Sequence, residues 1–147
     1  MYRGKRFLIT QPILYNFCGS TMVTIELARY LASEGADVTL YSCAYGEPVK
    51  SEIDNEFRVT GRGDYLSISD FDYIWVHSQI LPPSIVEELG KVDSDDKIPQ
   101  FIFLHMSPLE TIPDERPWIY NLERRLASSI LVISESMREV MDWCYQD

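Results

Sequence analysis

Short apolar runs alternate with helix-period stretches along nearly the whole chain. Phe7 to Thr10 is the first apolar run and reads as a strand, and the segment from Gln11 to Ser20 reads as a loop. Val23, Leu27, Tyr30 and Leu31 then recur at i, i+4, i+7 and i+8, which places them on one face of a helix. Gly35 stands where such a helix would stop in the left-handed conformation. Val38 to Ser42 is the second strand and Phe57 to Thr60 a short third. Tyr73 to His77 has the pattern of a buried strand. Pro82 and Pro83 open a short helix with Ile85 and Leu89 inward, proline being well tolerated at the first helical position.

Phe101 to His105 is the fifth strand. Pro117 starts a helix with Ile119, Leu122 and Leu126 on one face, and Ile130 to Ile133 is the sixth strand. Ser136 and Glu139 have the spacing of a capping box, with Met137, Val140, Met141 and Cys144 as the buried stripe of a last helix. Strands alternating with helices predict an α/β domain: a Rossmann-like, doubly wound parallel sheet with helices on both faces and strand order 3-2-1-4-5-6.

Composition narrows the function. The chain has 147 residues, enough for one domain with a real core. Its net charge of -10 argues against nonspecific nucleic-acid binding, which needs a basic footprint. The three cysteines, Cys18, Cys43 and Cys144, are widely spaced, so neither a zinc site nor a disulfide framework is expected. No apolar run approaches the roughly 20 residues of a membrane helix, and none follows the basic start as a signal peptide would require. A reduced, cytoplasmic setting is the simplest expectation. Asp70 with Asp72, and Asp93 with Asp95, resemble paired metal ligands. Both precede strands, opposite the expected crevice, and read as solvated turn residues. Arg62-Gly63-Asp64 reads as a turn for the same steric reasons.

In open parallel sheets, ligands bind at the carboxyl ends of the strands. The residues of this chain that fall there are Gly19, Ser20, His77, Ser78, His105, Ser107, Ser134 and Glu135. Gly19 serves either turn geometry or the approach of a ligand to a helix start. No G-x-G-x-x-G accompanies it, so the dinucleotide fingerprint is absent. Ser134 is equally a helix cap. His77 follows a tight apolar run and reads as structural. His105 lies within F-I-F-L-H-M-S at the strand's carboxyl end and, as a lone histidine, is either a structural residue or a candidate catalytic group. On the catalytic reading His105→Ala would spare the melting temperature.

Three stretches carry a family resemblance. N-F-C-G-S-T-M-V-T-I-E-L-A-R-Y-L-A-S-E-G-A-D-V-T-L-Y-S resembles the opening of retaining family 4 glycosyltransferases of the GT-B fold, with Leu27-Ala28, Leu31, Gly35 and Val38 in register. F-I-F-L-H-M-S and I-L-V-I-S-E-S-M-R-E-V-M resemble two later strands of that family and their exits. The resemblance implies that residues 1–147 are the N-terminal, acceptor-side domain of a two-domain enzyme. A C-terminal domain, not present in this chain, would hold most of the nucleotide-sugar donor. The acceptor would be a hydroxyl of a glycan, lipid or small molecule.

By the same resemblance, Gly19 faces the donor and His105 lies near the transferred sugar, with no metal and no cofactor required. The family has paired glycines in its first loop, whereas here Ser20 follows Gly19. Two other readings stay open: a noncatalytic accessory module, and half of a sugar-nucleotide epimerase. Attachment to the inner face of a membrane has no support in the sequence beyond Arg124, Arg125 and Arg138 near one end.

Overall fold

A computed structural model describes residues 2–93, 95–106, 117–132, 134, 135, 138 and 139, with the side chains of 117–120 excepted. The expected last helix, Ile119 and Ile133 at their expected inward positions, and Ser107 lie outside those residues or side chains. The elements run β1 (Arg6–Leu14), α1 (Gly19–Ser33), β2 (Asp37–Tyr45), α2 (Val49–Ile53), β3 (Arg58–Thr60), β4 (Tyr73–His77), α3 (Pro83–Leu89), β5 (Gln100–His105), α4 (Pro117–Leu126) and β6 (Ala127–Val132). All six strands are parallel, in the order β3-β2-β1-β4-β5-β6. This is the doubly wound arrangement expected from the alternation of elements. It puts every strand exit on one edge of the sheet, with the switch point between β1 and β4.

The alternation of side chains along each strand separates two cores. Phe7, Ile9 and Leu40 face α1 and α2, where Ile25, Ala28, Leu31, Val49 and Ile53 meet them. Leu8, Ile74, Val76, Phe101 and Phe103 face the other way, against Ile85 and Leu89 of α3. Leu122 and Leu126 of α4 pack on that second layer. Each fully buried side chain of this size contributes roughly 1.5–3 kcal/mol, so these layers dominate the stability.

β1 runs four residues further than the sequence pattern indicates, through Gln11, Pro12, Ile13 and Leu14. Pro12 lies past the last β4 pair, Thr10 with Val76, so its missing N–H disrupts no pairing on that side. The α1 face also differs from the expected stripe. Thr21, Thr24, Ile25, Ala28 and Leu31 are buried, while Val23 and Tyr30 are exposed. The true stripe includes two threonines, which hydropathy alone does not mark as inward. The short helix α2 was not anticipated either.

At the amino edge, the Asp72 carboxylate accepts the Arg6 backbone N–H at 2.8 Å and pairs with its guanidinium at 3.3 Å. Asp70 completes a capping box with Ser67. Asp64 accepts the Gly61 N–H at 2.8 Å, closing the Arg62-Gly63-Asp64 turn. Both acidic residues before β4 and the tripeptide thus have local backbone roles.

Gly35 ends α1 with φ of 90°, and its N–H donates to Ala32. A Cβ there would also meet Arg3 at 3.3 Å. Gly35→Ala is therefore expected to destabilise the domain by about 1–2 kcal/mol, the usual left-handed penalty. Urea denaturation checks this; an unchanged midpoint would refute the strain.

Candidate functional site

The exits of β1, β4 and β5 bring two buried polar networks to the carboxyl edge, one on each face of the sheet. The first lies under α1. Gln11, one residue past the last β1–β4 pair, is fully buried, and its amide donates to Ser20 Oγ at 2.8 Å. Thr24 donates its hydroxyl proton to Gln11 Oε1 at 3.1 Å. That leaves Thr24 Oγ1 as an acceptor facing His77 Nδ1 at 3.2 Å. His77 Nδ1 also lies 2.9 Å from the Thr10 carbonyl, which only accepts, so the ring proton sits on Nδ1. Nε2 is left as a buried lone pair with no partner. One chain of bonds thus joins α1, β1 and β4.

Desolvation pushes the His77 pKa down to about 4, more than the Thr10 carbonyl can raise it. The ring is held neutral in the core. This agrees with the structural reading of His77.

Cys18 is the N-cap of α1 and continues the same network. Its Sγ lies 3.4 Å from both Ser20 Oγ and Thr21 Oγ1. The Ser20 hydroxyl, then that of Thr21, with the Thr21 amide, bring the thiol pKa down to about 7. Gly19 follows as the first helical residue. Its φ is not positive, and a Cβ would meet nothing within 4 Å. Neither turn geometry nor packing therefore requires glycine here.

The second network lies under α4. His105 Nε2 meets Glu123 Oε1 within hydrogen-bond distance, and both side chains are fully buried. Gln79 Nε2 donates to Glu123 Oε2 at 3.0 Å. Both oxygens of the buried carboxyl group thus have a polar partner, as burial requires. His105 Nδ1 has no partner among the described residues. Ser78 and Gln79, just after β4, have φ of 52° and 56°. Left-handed conformations cost non-glycine residues of order 1–3 kcal/mol each and persist only where the surroundings enforce them.

The remaining sequence candidates sit apart from these networks. Ser78 is half-buried in the strained turn, its N–H donating to the Leu104 carbonyl at 3.3 Å. Ser134 is exposed, its carbonyl accepting the Arg138 N–H at 3.1 Å, consistent with a helix start. Glu135 is exposed and pairs with Arg138 at 2.8 Å. Gly19, Ser20, Ser78, His105 and Ser134 all follow or end strands on the same edge. Gln11, Thr24, Gln79 and Glu123 were missed. The signals were present only as polar residues within otherwise inward helical or strand positions. Among the described residues no group of acidic, histidine or cysteine side chains could hold a metal ion, and no helix is long and apolar enough to cross a membrane.

Two predictions follow from the histidines. The His77 pKa is lowered on folding, so its contribution to stability is present above about pH 6.5 and is lost as pH falls toward 4. Between pH 7 and 5 that loss is about 2 kcal/mol by linkage. In His77→Gln that slope should flatten, as read from chemical denaturation at the two pH values; an equal slope in both proteins would refute the burial of a neutral ring. His105→Ala removes the buried partner of Glu123 Oε1, which costs about 1–3 kcal/mol. This variant is therefore expected to lower the melting temperature and not to spare it, and a thermal melt decides it. Compared with known proteins, the chain matches no family model and no curated protein sequence.

Proposed function

We propose that this chain is the acceptor-side domain of a sugar transferase, which moves a sugar from a nucleotide-sugar donor to a hydroxyl acceptor. The observation that carries the reading is the placement, on one sheet edge, of the exposed Gly19 at a helix start and of the His105 Nδ1 position, which has no partner among the described residues. The first-turn amides of a 15-residue helix favour an anion such as a diphosphate, and those of Ser20 and Thr21 already favour the thiolate of Cys18. An imidazole lone pair accepts a hydroxyl proton, and such contacts accelerate a reaction when they strengthen as charge develops. The resemblance of the first loop and helix, and of the last two strands, to retaining glycosyltransferases supports the same assignment.

Most of the donor would be held by a second domain, so the present chain forms one wall of the cleft. Sugar transfer by this chain alone is not expected. Ser20 and Ser78 flank the two groups and are the nearest candidates to touch ligand.

Amide NMR mapping tests this directly. Uridine and guanosine diphosphate sugars at millimolar concentration should perturb Gly19, Ser20 and His105 while binding more weakly than micromolar. Perturbations confined to the amino edge of the sheet would overturn the site. Micromolar binding by the isolated chain would overturn the division of labour between domains.

A further inference from the structure

We propose that Glu123 is a positioning residue, held by Gln79, that fixes the His105 ring so that Nδ1 presents a lone pair to a ligand hydroxyl. Only the identity of that hydroxyl, a sugar's, rests on the transferase reading.

The argument starts from the carboxylate. Glu123 accepts from Gln79 Nε2 through one oxygen and from His105 Nε2 through the other. A carboxylate has no proton to give and can only accept. Facing one, a neutral His105 ring carries its proton on Nε2 and leaves Nδ1 bare. Nδ1 is buried and has no donor among the described residues. An acceptor left this way in the interior weakens the fold, since burial removes its water without replacement.

A purely structural role accounts poorly for this trio. Well-packed apolar side chains of similar volume generally serve a core as well as a buried charged pair does. Here the pair is retained, and the backbone is distorted to complete it. Gln79 reaches Glu123 from a turn in which two successive non-glycine residues are left-handed. Such distortion concentrates where side-chain placement is functional. The three residues come from separate elements, the turn after β4, helix α4 and the end of β5, which the fold brings together at the ligand-binding edge. A hydroxyl is the matching ligand chemistry, because it donates one proton and adds no charge to the interior.

Long-range nitrogen–proton NMR of the chain labelled in histidine is the test. The chain has two histidines, and His77→Gln assigns the pair. In the unsubstituted protein the Nε2–H form of His105 should exceed the Nδ1–H form by about tenfold or more, as expected for a hydrogen bond to a charged acceptor. Glu123→Gln, whose amide can donate or accept, should reduce that ratio about tenfold. Gln79→Ala should reduce it less. A dominant Nδ1–H form or an even mixture in the unsubstituted protein overturns the proposal, and needs no variant that might not fold. An unchanged ratio in a folded Glu123→Gln overturns it too. Methyl α-glucoside and uridine diphosphate glucose form the second arm. Each hydroxyl-bearing probe that reaches the ring should move the Nδ1 resonance. If the ring is fixed as stated but neither probe moves Nδ1 or the Gly19 amide, the positioning role stands and the transferase reading fails.

Discussion

The central placement of β1 is the constraint on which the rest of this structure depends. β1 pairs in parallel with β2 on one side and β4 on the other. Parallel neighbours cannot be joined by a tight turn, so each connection must cross over a face of the sheet. The crossovers supply α1 and α2 on one face and α3 and α4 on the other, and they return each strand in the same direction. Every strand exit then falls on one edge. The gap between the β1 and β4 connections follows from the reversal of strand order, not from any residue placed there to open it.

Within that frame, both faces solve the same problem at their ends. Where the apolar stripe of each strand stops, polar side chains remain inside and must find partners. Under α1, thiol, hydroxyl, amide and imidazole groups bond in series, from Cys18 through Ser20, Gln11 and Thr24 to His77. Under α4, a carboxyl group is the centre, and it is tolerable there because Gln79 and His105 each hydrogen-bond to it. The first network is anchored to the Thr10 carbonyl of the central strand, which the sheet holds rigidly. The second rests on the side chains of Gln79 and His105 among its described contacts, and it relies on a strained turn to place one of them.

The strands were legible in the sequence because each is a run of apolar residues too short for a helix and bounded by turn residues. Phe7–Thr10, Tyr73–His77 and Phe101–His105 needed little more than that. The phase of α1 was not legible. Val23 and Tyr30 look like core, yet both are exposed, while Thr21 and Thr24 are inside. Each threonine is buried because its hydroxyl has a specific acceptor, the Ile13 carbonyl for one and Gln11 Oε1 for the other. Such acceptors come from another element, so no local pattern reveals them. Glu123 was hidden for the same reason. In N-L-E-R-R-L a glutamate reads as solvent-facing until His105 and Gln79 are seen beneath it. Position at a strand end identified His105 but gave no account of its partner.

The two histidines show why strand-end position alone does not decide a role. Their side chains leave opposite faces, since His77 is paired in register with Leu104 and not with His105. Each keeps one nitrogen bonded and the other bare, with the ring proton on Nδ1 in His77 and on Nε2 in His105. Burial suppresses protonation of His77, and a main-chain carbonyl fixes its ring, so nothing short of moving β1 reorients it. His105 is oriented by a carboxylate on a helix, and that carboxylate by an amide in a turn. A ligand that shifts either support would reorient the ring. Of the two otherwise similar positions, the one held by side chains is the one whose orientation can change without moving the sheet.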